Sequence, residues 1–188
     1  MRFPASYKIG NPVRQEIEAI VEPSQRMQAW GEKTHLLVLG GSRGALAINE
    51  IVPEALALMS RHAQVDVWHQ AGAGKSDAAD ALYKQHGVAA RVQAFVDDMA
   101  EAFAWADIVV CRAGALTVSE LAAVGLGSIL IPFPYAIDDH QTANAKYLAD
   151  EGAALLFQQS ELTAKGLSEV LGKVLFDRDT LLSMALKA

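Results

Sequence analysis

A chain of 188 residues, 52% apolar and 20% charged with 14 Gly and 6 Pro, holds enough apolar residues for one packed domain, and this composition excludes disordered, collagenous and low-complexity classes. Sixteen Lys and Arg stand against 22 Asp and Glu, a net charge of −6, which argues against the broad basic face that nucleic-acid phosphates require. The single cysteine, Cys111, excludes an intrachain disulfide and Cys-based structural zinc, and fits a reducing compartment.

In chain order, residues 1–33 read as an interdomain linker and the start of a domain. Within them, Tyr7 to Arg14 has the look of a short strand and turn, followed by a mixed polar stretch to Lys33. From Thr34 to the end, short β-branched or apolar runs alternate with longer segments of helical period, the pattern of repeated βα units. The strands fall at about 35–39, 65–69, 91–94, 108–111, 128–131 and 153–157. The helices fall at about 45–59, 76–86, 99–105, 117–124, 141–150 and 163–176. The predicted fold class is therefore α/β, a Rossmann-like six-stranded parallel sheet with helices on both faces, occupying residues 34–188.

Its most apolar run, Gly125 to Ile137, is broken by Pro132 and Pro134 and falls short of the ~20 residues that cross a bilayer. The amino end lacks the n-region and h-region of a signal peptide, and the carboxyl end stops inside the helical pattern Thr180 to Leu186. Both ends read as those of a segment of a longer protein.

Ligands of such sheets gather beyond the carboxyl ends of the strands, so the strand-to-helix loops carry the candidates. The first, Gly40-Gly41-Ser42-Arg43-Gly44, is a diphosphate cradle in form: glycines admit close backbone approach and the following helix end favours an anion. A dinucleotide fingerprint is broken there, since Ser42 and Ala45 stand where Gly belongs, and the second strand ends in His69-Gln70 without the acidic residue for an adenosine ribose.

The fourth loop runs Cys111-Arg112-Ala113-Gly114-Ala115-Leu116-Thr117-Val118-Ser119-Glu120. Glu120 has two readings, a carboxylate for ribose hydroxyls or the partner of Thr117 in a capping box. The Phe95-Val96-Asp97-Asp98-Met99 turn offers helix-capping carboxylates and a backbone able to pair with a base edge. Beyond the fifth strand, Gln141 and Asn144 share one helix face and suit sugar hydroxyls, with Asp138 or Asp139 as N-cap. The scattered histidines form no metal-ligand spacing, and no G-x-S-x-G elbow is present.

Asn11-Pro12-Val13-Arg14, Gly40 to Gly44, Phe95 to Met99, Ala106-Asp107, the Arg112 to Glu120 stretch, and Gln141 with Asn144 occur together, in order and at natural spacing. In this the chain resembles the MurG family of peptidoglycan N-acetylglucosaminyltransferases from about Gly10 to its end. The resemblance implies the donor-binding, carboxyl-terminal half of a two-domain GT-B enzyme. That enzyme moves N-acetylglucosamine from UDP-N-acetylglucosamine to the C4 hydroxyl of the N-acetylmuramoyl unit of lipid I, giving lipid II with inversion, without metal or cofactor.

It also implies roles. Val96 offers its backbone to uracil, Glu120 holds the ribose, and Ser42 and Arg14, with the Gly40-Gly41 turn, face the diphosphate. Ala115, Leu116 and Thr117 line the sugar-phosphate, and Gln141 with Asn144 read the sugar. His140 departs from the family, whose members commonly carry a second glutamine at this place. The general base, the lipid I site and the membrane contact on the cytoplasmic face of the bacterial inner membrane are implied for the other half, leaving no catalytic residue here. Two alternatives share the donor: a UDP-N-acetylglucosamine 2-epimerase-like enzyme and a non-catalytic nucleotide-sugar-binding domain.

Overall fold

The computed structural model describes residues 11–29, 31–41, 44–136 and 139–188. Six strands form one parallel sheet: β1 (Thr34–Leu39), β2 (Val65–Gln70), β3 (Arg91–Gln93), β4 (Ile108–Cys111), β5 (Ser128–Leu130) and β6 (Ala154–Leu156), in the order β3-β2-β1-β4-β5-β6. The six predicted strands are all present, displaced by no more than a residue at either end.

Period-2 alternation within the apolar runs of the strands gives the sheet a core on each face, as two covered faces require. In β1 the side chains of Leu36 and Val38 enter one core and those of Leu37 and Leu39 the other. In β4, Ile108 and Val110 divide from Val109 and Cys111 in the same way. The first core is roofed by α3 (Leu46–Ala57), α4 (Ser76–Gln85) and α8 (Ala164–Val174), through residues such as Val52, Tyr83 and Leu171. The second is roofed by α5 (Met99–Trp105), α6 (Ala115–Val124) and α7 (His140–Ala149), through Phe103, Leu121 and Leu148.

Two differences from the expected pattern have local causes. The polar stretch ahead of β1 contains two helical turns, α1 (Gln15–Glu18) and α2 (Pro23–Arg26). Ile17 of α1 is wholly buried in the second core, and Pro23 occupies the first turn of α2, where its missing N–H costs nothing. Of the short strand and turn expected over Tyr7 to Arg14, residues 7–10 lie outside the described residues, and residues 11–14 carry no strand and lead into α1, with Arg14 as its N-cap. At the other end, α8 stops at Val174, and Asp177, accepting from Thr180 N at 3.1 Å, caps a separate α9 (Arg178–Lys187).

Helix α6 starts at Ala115, two residues ahead of the predicted start, with Gly114 as N-cap. Thr117 and Glu120 are thus displaced along the helix from capping positions, no side-chain cap bond is made, and the capping-box reading of this pair falls.

The carboxyl end of α6 is held by α2. Arg26 donates to the carbonyls of Val124 and Gly125 at 3.2 and 2.8 Å, groups that a helix end leaves without partners. Gly125 closes α6 in the left-handed region (φ 62°), and a Cβ there would stand 2.5 Å from Pro23 Cγ and 3.0 Å from Ala185 O. Gly125→Ala is expected to cost about 1–3 kcal/mol from the backbone conformation, with the crowding adding to it. Urea denaturation compared with an alanine substitution at exposed Gly172 checks this; equal midpoints for the two variants would contradict it.

Candidate functional site

The site sits where strand order reverses. β1 hands the chain to α3 on one face, whereas its neighbour β4 hands it to α6 on the other. Departing to opposite sides, the two loops leave a cleft between them, the place where open α/β sheets take ligands.

Register puts Leu39 opposite both Gln70 and Cys111, and these three strand-terminal residues floor a cavity of about 160 Å³. Gly41 stands on one side of it, Thr117 and Glu120 on another, and Met99 and Phe103 of α5 close it from the second face. Gln70, Met99, Phe103 and Arg112 were not among the predicted contacts. Register supplies Gln70, and an i, i+4 pairing on α5 supplies Met99 and Phe103 once Asp98 caps that helix by accepting from Glu101 N at 2.9 Å.

Two helices aim their amino ends at this edge, and both are headed by residues with no polar side chain, Ala45 before α3 and Gly114 before α6. The backbone N–H groups of Ala115, Leu116 and Thr117 therefore lack an intrahelical acceptor and carry the positive end of the helix dipole. Ala115 and Leu116 are exposed. On the α3 side, Gly40 N donates to Gln70 O at 2.9 Å and Gly44 N to Gly41 O at 3.0 Å, folding the glycine turn. Gly44 has φ 68° and its α-carbon lies so close to the next loop that a Cβ would meet Ala71 O at 2.4 Å. Ser42 lies outside the described residues.

Beneath the turn runs a buried polar chain that the sequence reading did not find. Asn49 Nδ2 donates to Ala71 O at 2.9 Å, so its Oδ1 accepts, at 3.0 Å, from His69 Nε2–H. His69 Nδ1 then accepts from the Tyr83 hydroxyl, also at 3.0 Å. His69 is fully buried and neutral, its pKa lowered to about 4 by desolvation, and the same burial pushes the Tyr83 hydroxyl up. The chain joins α4, β2, α3 and the loop after β2, with every polar atom matched to a partner of the right sense.

The other predicted residues reach the same edge but spend polar atoms on the protein. Gln141 Oε1 accepts from Phe133 N at 3.0 Å and Asn144 Nδ2 donates to Ala113 O at 3.0 Å, so α7 ties together the loops after β5 and β4. Arg112 braces the Pro132 loop, donating to the carbonyls of Ile131 and Pro132 at 3.1 and 3.0 Å and to Gln159 Oε1 at 2.6 Å; burial lowers its pKa. Asp139 is the N-cap position of α7, yet its carboxylate accepts from the Thr142 hydroxyl at 2.7 Å and makes no backbone cap bond.

The Val96 side chain belongs to the second core, which leaves its backbone for a ligand. Arg14 reaches Glu120: its Nε and Nη2 both donate to Oε1, at 3.2 and 2.9 Å. Cys111 lies in the cavity floor but is 1% exposed, and burial pushes its thiol up to about 12, far from the thiolate a nucleophile needs.

This fold is that of the carboxyl-terminal domain of a GT-B glycosyltransferase. The chain belongs to the family described as the Glycosyltransferase family 28 C-terminal domain, whose profile matches residues 35–188. Over 186 residues it is 52% identical to the UDP-N-acetylglucosamine--N-acetylmuramyl-(pentapeptide) pyrophosphoryl-undecaprenol N-acetylglucosamine transferase of Nitrosococcus oceani, covering 97% of this chain and 52% of that protein. The crystal structure of Acinetobacter baumannii MurG superposes with a TM-score of 0.87 at 39% identity, over 98% of this chain and 52% of that one.

The expected resemblance to MurG therefore holds, and the chain spans about half the length of the curated relatives it matches. The C-terminal CMP-Kdo binding domain of WaaA from the same organism, at 13% identity and a TM-score of 0.58, shares the fold alone.

The His69 chain has a measurable consequence. Because the folded state holds this imidazole neutral to about pH 4 while an unfolded chain protonates it near 6.5, its contribution is complete above pH 6.5 and is lost as pH falls toward 4. Stability should drop across that window by on the order of 3 kcal/mol more than in a His69→Gln variant. Parallel pH profiles of the two proteins over this range would contradict the assignment.

Proposed function

We propose that this chain is the donor-binding half of a glycosyltransferase of peptidoglycan synthesis, seating UDP-N-acetylglucosamine in the cleft between the β1 and β4 loops. The observation that carries the reading is the convergence of two uncapped helix amino ends with a half-buried carboxylate, Glu120, on the edge where strand order reverses. A diphosphate takes the helix ends, a ribose takes Glu120, uracil takes the backbone at Val96, and the sugar takes Gln141 and Asn144. Ser42 and Gly41 complete the diphosphate cradle.

In the whole protein the reaction is transfer of N-acetylglucosamine to the C4 hydroxyl of the N-acetylmuramoyl unit of lipid I, with inversion, giving lipid II. The name of the Nitrosococcus relative and the match to MurG support that reaction.

The chemistry suits this half. As the glycosidic bond to phosphate breaks, the sugar gains oxocarbenium character and negative charge grows on the departing UDP. Fixed amide dipoles at the α3 and α6 amino ends meet that growing charge better than they meet the ground state, which is where a rate enhancement originates. The hydroxyl's proton is assigned to a base in the other half, as is contact with lipid I at the cytoplasmic membrane face. Among the described residues no helix is long and apolar enough to cross a membrane.

Calorimetric titration tests the reading. UDP and UDP-N-acetylglucosamine should bind and NADH should not, since the dinucleotide fingerprint is broken at Ser42 and Ala45. Glu120→Ala should weaken UDP about tenfold or more, the worth of charge-assisted hydrogen bonds to ribose. Gln141→Ala should weaken UDP-N-acetylglucosamine while leaving UDP within about twofold, as its proposed contact is with the sugar alone. NADH binding with UDP excluded would overturn the proposal.

A further inference from the structure

Arg14 and Glu120 are 106 residues apart, yet their pairing is built from several directions. Asn11 Nδ2 donates to Ser119 Oγ at 3.0 Å, which in turn donates to Ala115 O at 3.0 Å, so the segment ahead of α1 is tied to the outer face of α6. Ile17 plugs the second core, and the Arg14 carbonyl accepts from Ile17 N at 3.0 Å, fixing Arg14 as the N-cap of α1. From that seat the guanidinium places two N–H groups on a single carboxylate oxygen, Oε1. Among the described residues Oε2 takes no hydrogen bond.

Such an arrangement is unusual for an arginine and a carboxylate, which commonly pair fork to fork through both oxygens. The Arg14 side chain is 46% exposed, so the pair adds little to stability. Its effect is geometric: it fixes the rotamer of Glu120 beside the cavity while leaving one oxygen unspent.

We propose that Arg14 is a positioning residue for ribose recognition, gripping Oε1 of Glu120 so that Oε2 is presented to the 2′ and 3′ hydroxyls of the nucleotide. The inference rests on the reading of Glu120 as the ribose carboxylate and extends it. Arg14 then acts on the sugar of the nucleotide through Glu120, in addition to any contact of its remaining N–H groups with the diphosphate. Because the ribose-reading carboxylate is set by a residue from the segment ahead of the sheet, movement of that segment would change nucleotide affinity without touching the cradle.

The test compares UDP with 2′,3′-dideoxy-UDP, which keeps base and diphosphate and lacks both hydroxyls, on the full chain and on Arg14→Ala, Arg14→Lys and Glu120→Ala variants, with melting curves for each. The wild-type chain should favour UDP. Glu120→Ala should bring the ratio of the two affinities close to one. Arg14→Ala should cut that ratio about fivefold or more with melting little changed, and Arg14→Lys, which keeps the charge but not the fork, should fall between. If Arg14→Ala weakens both ligands equally and preserves the ratio while Glu120→Ala abolishes it, Arg14 acts on the phosphates alone and the proposal is wrong. If Glu120→Ala also preserves the ratio, the ribose reading beneath it is the part that fails.

Discussion

β1 and β4 lie side by side, two parallel strands whose chains leave in opposite directions. Neither loop can cross over its neighbour without unburying one of the two cores, because α3 belongs to the first and α6 to the second. The loops must part, and the gap between them opens at the carboxyl ends of two strands whose central residues are fully buried. Leu36 to Val38 of β1 and Ile108 to Val110 of β4 are fully buried, so the cleft is cut into close-packed core, which holds the loop ends in place. A site that relies on fixed backbone dipoles needs this rigidity, since the donors must already point at the ligand.

Polar side chains around the cleft serve mainly to hold loops, and the surfaces offered to a ligand are largely backbone. Arg112, Gln141 and Asn144 each spend hydrogen bonds on the neighbouring Pro132, Phe133 and Ala113 segments. Asn49, His69 and Tyr83 do the same beneath the glycine turn. Glu120 differs in having one oxygen committed and one open. Of the residues at this edge it is the carboxylate poised to receive hydroxyls, which is why its pairing with Arg14 decides how specific the nucleotide pocket is.

Much of this was legible in the chain. Alternating apolar strands and helical segments fix the sheet, because a strand buried on both faces has to be a continuous apolar run. Glycine turns mark the strand-to-helix loops, because close backbone approach admits no Cβ. Two kinds of feature were not legible. The α1 and α2 turns are short and polar, and they exist through tertiary contacts, Ile17 in the core and Arg26 on the end of α6, that no local periodicity announces. The start of α6 is not legible because Thr117 and Glu120 satisfy a capping pattern, while the helix begins at Ala115 with Gly114 as an N-cap that makes no side-chain bond. The His69 chain lies between these cases: its first and last residues are 34 positions apart, and nothing in their spacing brings Asn49, His69 and Tyr83 together before the fold does.

The claim that the β1–β4 cleft is a nucleotide-sugar site is tested most directly by mapping backbone amide shifts as UDP-N-acetylglucosamine is added to the isotopically labelled chain. Perturbations are expected to concentrate at Gly40, Gly41, Val96 and Ala115 to Thr117, with Gln141 moving for the sugar nucleotide and not for UDP. Perturbations centred instead on the opposite edge of the sheet, around His35, Trp105 and Asp107 where another apolar cleft lies, would contradict it.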